Sequence, residues 1–244
     1  MSVPGSDTGE RRPGKDDPSR ARRGAGYAYK KRFYQSEEVA RDYDFHRWGS
    51  PERARRNLHK WRTIQRALTL TEGVHSILDL PCGTGRFTGG LAKSGYDVVG
   101  ADISSEMMQV ARERLGPVPR LHGYVRADAE SLPFASGTFD CVMSIRFLFH
   151  VDQRTRISML RDMARVSRRW LILDYRHKYA YRYVMWRIRR ALGLTKTPLE
   201  RISRGALEAE LAEAGIRIVS ILPVARVFSD KWIVVGEKSV SSAA

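Results

Sequence analysis

The stretch Ser76-Ile77-Leu78-Asp79-Leu80-Pro81-Cys82-Gly83-Thr84-Gly85, followed by an amphipathic segment and then Tyr96-Asp97-Val98-Val99-Gly100-Ala101-Asp102, decides how this chain folds. An apolar run, a glycine turn opening a helical segment, and a second apolar run that closes on a carboxylate seventeen residues after Gly85 read as a strand–helix–strand unit. Units of this kind bind nucleotides. Gly83 and Gly85 carry no Cβ, so the backbone can turn tightly and leave its N–H groups open to a ligand where the helix begins. Asp102 ends the second strand, where a carboxylate accepts both hydroxyls of a ribose.

Two cofactors suit this layout, a nicotinamide dinucleotide and S-adenosylmethionine. The dinucleotide fingerprint places a third glycine three positions after the second, and Thr88 stands there. Asp79 separates the two further. A carboxylate at the mouth of the glycine loop repels a pyrophosphate but attracts an ammonium and a sulfonium, and S-adenosylmethionine carries both cations.

Asp79-Leu80-Pro81-Cys82-Gly83-Thr84-Gly85 resembles the first motif of the class I S-adenosylmethionine-dependent methyltransferases. The variant is that of small-molecule enzymes such as the ubiquinone and menaquinone C-methyltransferases, and the resemblance runs from about Tyr34 to Lys238. Asp102 matches the family's ribose-binding acid, with Ile103 beside it. Asp128-Ala129-Glu130 matches the segment that contacts adenine, and Thr138-Phe139-Asp140-Cys141-Val142-Met143-Ser144 matches the fourth strand. The resemblance implies a Rossmann-like α/β fold: a seven-stranded mixed sheet with its last strand antiparallel, helices on both faces and an N-terminal helical cap. It also implies S-adenosylmethionine as cofactor, bound by Asp79, Pro81, Gly83, Gly85, Asp102, Ile103, Asp128 and Ala129. Pro81 departs from the commonest pattern, which has glycine there. Proline fixes φ and removes a donor, so the loop is expected to hold the methionine end somewhat differently and still to bind.

Charge is distributed unevenly. The formal net charge is +16, and residues 1–32 hold nine Lys and Arg against four acids while residues 176–204 hold nine against one. Two segments therefore carry thirteen of the sixteen charges, and the rest of the chain is nearly neutral. No apolar run approaches the ~20 residues that span a bilayer. Met1-Ser2-Val3-Pro4-Gly5-Ser6-Asp7 lacks the apolar core of a signal peptide, so a cytoplasmic location is expected. Cys82 and Cys141 are isolated, which indicates neither a disulfide framework nor a zinc site, and Cys82 reads as a small packing residue of the loop. No metal is expected, because carboxylates and histidines do not cluster at ligand spacing beyond the cofactor residues.

Taken in order, residues 1–26 mix Gly, Pro, Ser, Asp and Arg with few apolar side chains and read as a disordered basic tail. Residues 27–70 read as the helical cap. Its helices are expected over Glu37–Phe45 and Pro51–Leu70, the second capped by Ser50 with Pro51 in its first turn and Leu58, Trp61, Ile64, Gln65 and Leu68 as its apolar stripe. Tyr34 and Tyr43 are candidates for packing over a sulfonium, with ordinary packing an equal alternative. Arg41, Arg47 and Trp48 are candidates for lining an acceptor site.

Residues 71–238 form the expected methyltransferase domain, with a basic amphipathic insertion at 176–203. Asp128 follows the third strand, where its carboxylate can accept from an adenine amine. Ligands of parallel sheets bind beyond the carboxyl ends of the strands, which puts Ile145, Arg146, Phe147 and His150 beside the transferable methyl. Arg146 and His150 are the catalytic candidates, His150 as general base or as a packing histidine. Trp170-Leu171-Ile172-Leu173-Asp174 is strand five, delivering Asp174, Tyr175 and Arg176 to the same edge. Between Lys178 and Leu194, Tyr181, Val184, Met185, Ile188 and Leu192 recur at helical spacing with basic residues on other faces. The plainest reading is a surface helix with its apolar face in the core. Among functional readings, a lid that also meets an anionic membrane surface at the inner membrane face ranks above a nucleic-acid patch. Ile216–Val224 and Lys231–Gly236 lie too close for a parallel crossover and form an antiparallel pair; residues 239–244 form a frayed tail.

A methyltransferase acting by O- or C-methylation on a small-molecule or lipid-like acceptor fits these features best. An RNA methyltransferase fits the charge, but Ser144-Ile145-Arg146-Phe147 lacks the Asn/Asp-Pro-Pro-aromatic run of amino-directed nucleic-acid enzymes. A non-catalytic scaffold that binds S-adenosylmethionine and regulates a partner is the third reading, and the intact acids Asp79, Asp102 and Asp128 argue against it.

Overall fold

The computed structural model describes residues 33–48, 50–194, 201–225 and 229–239. The tail expected over 1–26 and residues 240–244 lie outside the described residues. Seven helices and seven strands are described here: α1 (Glu37–Trp48), α2 (Pro51–Leu68), β1 (Ser76–Asp79), α3 (Thr88–Lys93), β2 (Asp97–Asp102), α4 (Ser105–Leu115), β3 (Leu121–Arg126), β4 (Phe139–Ser144), α5 (Gln153–Val166), β5 (Ser167–Arg176), α6 (Tyr181–Ala191), α7 (Arg204–Glu213), β6 (Ile216–Pro223) and β7 (Lys231–Lys238). A short 3₁₀ turn covers Leu148–His150.

The strands form one sheet in the order β3-β2-β1-β4-β5-β7-β6. Strands β1 to β5 run parallel, and β7 inserts antiparallel between β5 and β6. This is the mixed, Rossmann-like α/β sheet that the sequence implies. Parallel strands covered on both faces become continuous apolar runs, and Ile77 and Leu78 of β1 and Leu171, Ile172 and Leu173 of β5 are all fully buried. One face packs Leu160 and Met163 of α5 with Leu207 and Leu211 of α7. The other packs Ile64 and Leu68 of α2 with Leu91 and Ala92 of α3.

Side-chain caps start four of the helices, the Ser50 cap among them as the sequence predicts. Ser50, Ser104, Asp152 and Ser203 accept from the backbone N–H groups of Arg53, Met107, Thr155 and Ala206, at 3.4, 3.0, 3.1 and 3.3 Å. Two expectations need correction. The buried face of α2 is Lys60, Thr63, Ile64, Ala67 and Leu68, whereas Leu58 and Gln65 point to solvent. The stripe is thus rotated because a lysine, not a leucine, faces the sheet. In α6 the apolar row does not enter the core: Tyr181, Val184, Ile188 and Leu192 are 64%, 49%, 47% and 67% exposed.

Candidate functional site

The glycine loop is stitched to three strand ends. Leu80 N donates to Met143 O at 2.9 Å, tying the exit of β1 to β4, and Cys82 N donates to Ala101 O at 2.8 Å, tying the loop to β2. Gly83 and Gly85 adopt φ of 54° and 69°, a region that favours glycine. Their demands differ. A Cβ on Gly85 would come within 2.9 Å of both Ala111 and Leu115 of α4, so this glycine lets α4 close on the loop. A Cβ on Gly83 would meet no atom within 4 Å, so its Cα faces open space in which a ligand could lie against the backbone. The Leu80–Pro81 peptide is cis, and Pro81 is half-buried at the start of the turn.

Asp79 and Asp102 bracket this loop, and both are buried. Asp79 Oδ2 accepts from Thr88 Oγ1 at 2.7 Å. Burial pushes the Asp79 carboxyl up to about 7, against the pull of Thr88, so its charge is conditional. Treating it as a fixed anion, as the sequence invites, overlooks that cost; a cation bound against it would restore the ionised form. Asp102 Oδ2 accepts from Gly83 N at 2.8 Å and Oδ1 from Ser104 N at 2.9 Å. Burial again outweighs these bonds and raises Asp102 to about 6. Ile103 follows, half-buried, at the head of α4. Asp128 lies just beyond β3, its Oδ1 accepting from Glu130 N at 3.1 Å in a tight turn, with Ala129 buried behind it. Three acids at the ends of β1, β2 and β3 thus run along one edge of the sheet. As acceptors they fit a ligand with a cation at one end, a vicinal diol in the middle and an amino-purine at the other.

Tyr43 forms an edge-to-face pair with Tyr34, centroids 6.1 Å apart, in a small cluster with Val39, Ala40 and Met107. It therefore stands over the first turn of α4, on the Asp102 side of the loop. Arg41 pairs with Glu37 at 3.0 Å on the exposed side of α1, away from the strand ends; the side chains of Arg47 and Trp48 lie outside the described residues. Cys82 is buried, which pushes its thiol well above the usual range and removes it as a nucleophile.

The second half of the edge is strongly charged. Arg146, just past β4, has φ of 65°, a left-handed conformation that costs a side-chain-bearing residue about 1–3 kcal/mol. Its N–H donates to Asp174 Oδ2 at 3.2 Å. His150 ends the 3₁₀ turn with its ring 4.4 Å from that of Phe149, over which the Arg176 guanidinium sits at 4.0 Å. Asp174, at the end of β5, is ion-paired with Lys60 of α2, and both are buried. Burial drags the Lys60 amine down to about 7 although Asp174 opposes it. Lys231 of β7 stands across from Arg176, and Arg201 pairs with Asp230 at 2.5 Å. Lys60, Arg201, Asp230 and Lys231 were not legible as site residues, nor was Thr88. The available signals were Lys60 in register with Ile64 and Ala67, and Thr88 in place of the third glycine.

Among the described residues no group of His, Cys, Asp and Glu is placed to hold a metal ion. No helix of the described residues is long and apolar enough to cross a membrane.

Comparison with known proteins bears on this edge. The family described as "Methyltransferase domain" matches residues 77–169. The ubiquinone/menaquinone biosynthesis C-methyltransferase of Pasteurella multocida is 40% identical over 111 residues, which cover 41% of this chain and 40% of that protein. An O-methyltransferase of Penicillium expansum is 37% identical over 119 residues, covering 46% of this chain and 42% of its own. The chain thus spans about two fifths of the length of these curated relatives. Among solved structures, magnesium protoporphyrin IX methyltransferase from Synechocystis PCC 6803, with bound SAH, superposes with a TM-score of 0.62 at 19% identity, covering 83% of this chain and 99% of that one. At that identity the likeness is one of fold. Residues 77–169 of this chain match the methyltransferase-domain family, and the chain shares the fold of that solved methyltransferase.

Proposed function

We propose that this chain transfers a methyl group from S-adenosylmethionine to a small-molecule or lipid-like acceptor, at oxygen or carbon. The observation that carries this reading is the pair of buried acids, Asp79 and Asp102, on either side of a glycine loop whose Gly83 opens onto free space. Asp79 attracts the ammonium and sulfonium end, with Pro81, Gly83 and Gly85 shaping the backbone beneath it. Asp102 accepts the ribose hydroxyls, Asp128 accepts from the adenine amine, and Ile103 and Ala129 give the purine apolar contact. Tyr43 covers the Asp102 side.

When bound, S-adenosylmethionine supplies a methyl group already activated by its sulfonium. The chain's own task is to align the acceptor, keep water out and remove a proton where the acceptor is a hydroxyl. Arg146 and His150, beyond β4, stand on the side where an acceptor must lie, because β4 lies directly beside β1 and its Asp79. His150 is the candidate base. The division that goes with this reading is a cap over 27–70 and a catalytic domain over 71–238 with its insertion at 176–203. Calorimetric titration with S-adenosylhomocysteine tests the cofactor assignment. The native protein should bind and Asp102→Ala should lose that affinity while remaining folded; equal binding by both would overturn it.

A second reading concerns location. The exposed apolar row of α6 lies on a helix that also exposes Arg187, Arg189 and Arg190. That combination suits shallow seating on an anionic membrane surface, which would place a cytoplasmic enzyme at the inner membrane face, within reach of a lipid-like acceptor. Nothing comparable favours nucleic acid, since the basic side chains lie beside long apolar ones rather than in a polar groove.

A further inference from the structure

The antiparallel pairing of β5 with β7 sets Arg176 directly opposite Lys231. Side chains directly opposite across a ladder share one face, and like charges so placed repel. Both residues are only half-exposed, so water screens that repulsion incompletely. The surroundings add to it. Arg146, Lys60 and Arg201 are electrostatically coupled to the same cluster, so five cations surround two carboxylates, Asp174 and Asp230. Asp174 pairs with Lys60 through Oδ2 and Asp230 with Arg201, while Asp174 Oδ1 is buried without a hydrogen-bond partner. The Arg176 Nε is buried with no hydrogen-bond partner. Buried donors are normally satisfied. Here charge and hydrogen-bonding capacity are both left over at one spot.

That spot lies on the acceptor side of the proposed cofactor site, beyond the ends of β5 and β7, one strand past Arg146. We propose that the acceptor carries an oxyanion, a carboxylate or a phosphate, which is held between Arg176 and Lys231. This deepens the methyltransferase reading and rests on it for the word acceptor, but the anion site itself stands on the cation cluster. The arrangement explains why the chain tolerates an Arg–Lys cross-strand pair: an anion between them converts repulsion into two charge-assisted contacts. Burial lowers Arg176 to about 10 and lowers Lys231 as well, with neighbouring cations adding to it and Asp174 and Asp230 opposing it. The Phe149 ring beneath the Arg176 guanidinium fixes the plane of the fork and leaves its edge for the ligand. Asp174, bonded to the Arg146 N–H, keeps that strained residue turned toward the same cluster.

The test titrates the protein saturated with S-adenosylhomocysteine with benzoate, phenyl phosphate and the neutral analogue benzamide, followed by calorimetry or by ligand-observed NMR. Benzoate or phenyl phosphate should bind at least about 10-fold more tightly than benzamide, and which of the two prevails identifies the carboxylate or the phosphate as the natural group. Lys231→Gln and Arg176→Gln should each weaken the anion by about 10-fold or more, the loss expected for one charge-assisted contact. Their affinity for S-adenosylhomocysteine should be unchanged, which also reports that they fold; Arg176→Lys provides a charge-preserving second variant. Equal binding of benzamide and the anions, undiminished anion binding by the variants, or no binding of either anion would overturn the proposal. Failure of the native protein to bind S-adenosylhomocysteine would instead remove the methyltransferase reading, and the anion titration of the protein alone would still read the Arg176–Lys231 site.

Discussion

Thr88 Oγ1 donates a 2.7 Å hydrogen bond to Asp79 Oδ2, joining the first residue of α3 to the last residue of β1 beneath the glycine loop. The residue that breaks the dinucleotide fingerprint is therefore the one that holds the acid meant for a cation. With Asp79 at about 7 before any ligand arrives, a bound ammonium or sulfonium must draw the carboxyl into its ionised form and expel a proton. S-adenosylmethionine affinity should accordingly rise about 10-fold between pH 6 and pH 8, and calorimetry at pH 6 in buffers of different ionisation enthalpy should report release of about one proton. Asp79→Asn should lower affinity and flatten the pH dependence. A wild-type affinity independent of pH over this range would show that Asp79 does not face the cationic end.

The same carboxyl gives a stability prediction of opposite sense. Its folded-state value of about 7 exceeds the ordinary 3.8, so the folded chain holds this proton more tightly than the unfolded one. The stabilisation is fully present below the ordinary value and is lost as pH rises through about 7. Asp102 contributes in the same direction with an upper limit of about 6. In the absence of cofactor, the Tm of the wild type minus that of Asp79→Asn should fall steadily from pH 4 to pH 7.5. A difference that stays level or rises would mean that Asp79 is ionised throughout.

Lys60 and Asp174 form a buried ion pair that ties α2 to the end of β5. Removing one charge from such a pair strands the other, at about 3–5 kcal/mol, whereas replacing both with apolar residues is often tolerated. Lys60→Met should lose that much in urea unfolding, and Lys60→Met combined with Asp174→Leu should recover most of it. A single variant as stable as the wild type would make the pair an ornament of the surface rather than a joint.

The contrast between these two acids explains how much the sequence could reveal. Asp79 and Asp102 end the two strands of one strand–helix–strand unit and Asp128 follows the next apolar strand, so local pattern finds them, and the closing β6–β7 pair follows from the short interval between Pro223 and Lys231. Lys60 and Asp174 lie 114 residues apart. Their meeting depends on how α2 rotates over the sheet, and a lysine inside an apolar stripe reads locally as solvated. The pairing of Arg176 with Lys231 escapes notice for the same reason, since only the register of β5 against β7 brings them face to face. Likewise the periodicity of α6 is plain in the sequence, but whether its apolar row faces the core or solvent is a tertiary matter.

On the face of the sheet opposite Lys60, Arg156 forks onto Glu210 at 2.7 and 2.5 Å, and Tyr175 OH donates to the same carboxylate at 2.7 Å. These three join α5, α7 and β5 where Glu210 is 1% exposed. Glu210→Leu should destabilise by about 3–5 kcal/mol, because it leaves a guanidinium largely buried without its acid; Tyr175→Phe should cost about 1–2 kcal/mol. S-adenosylhomocysteine affinity of the folded protein should not change in either variant. A selective loss of that affinity with normal thermal unfolding would move the network from scaffold to site.

The exposed row on α6 gives the last prediction. Tyr181, Val184, Ile188 and Leu192 present apolar surface where Arg187, Arg189 and Arg190 present charge. Burying one such side chain in an acyl boundary is worth about 1.5–3 kcal/mol, and each nearby arginine adds about 1 kcal/mol against an anionic leaflet. The protein should therefore co-sediment with vesicles containing phosphatidylglycerol and not with phosphatidylcholine alone, with binding falling as salt is raised. Ile188→Glu should abolish co-sedimentation while leaving S-adenosylhomocysteine affinity intact, because the substitution lies outside the cofactor edge. Equal binding to both vesicle types, or an Ile188→Glu variant that still sediments, would reassign the row to a lid or to a protein partner.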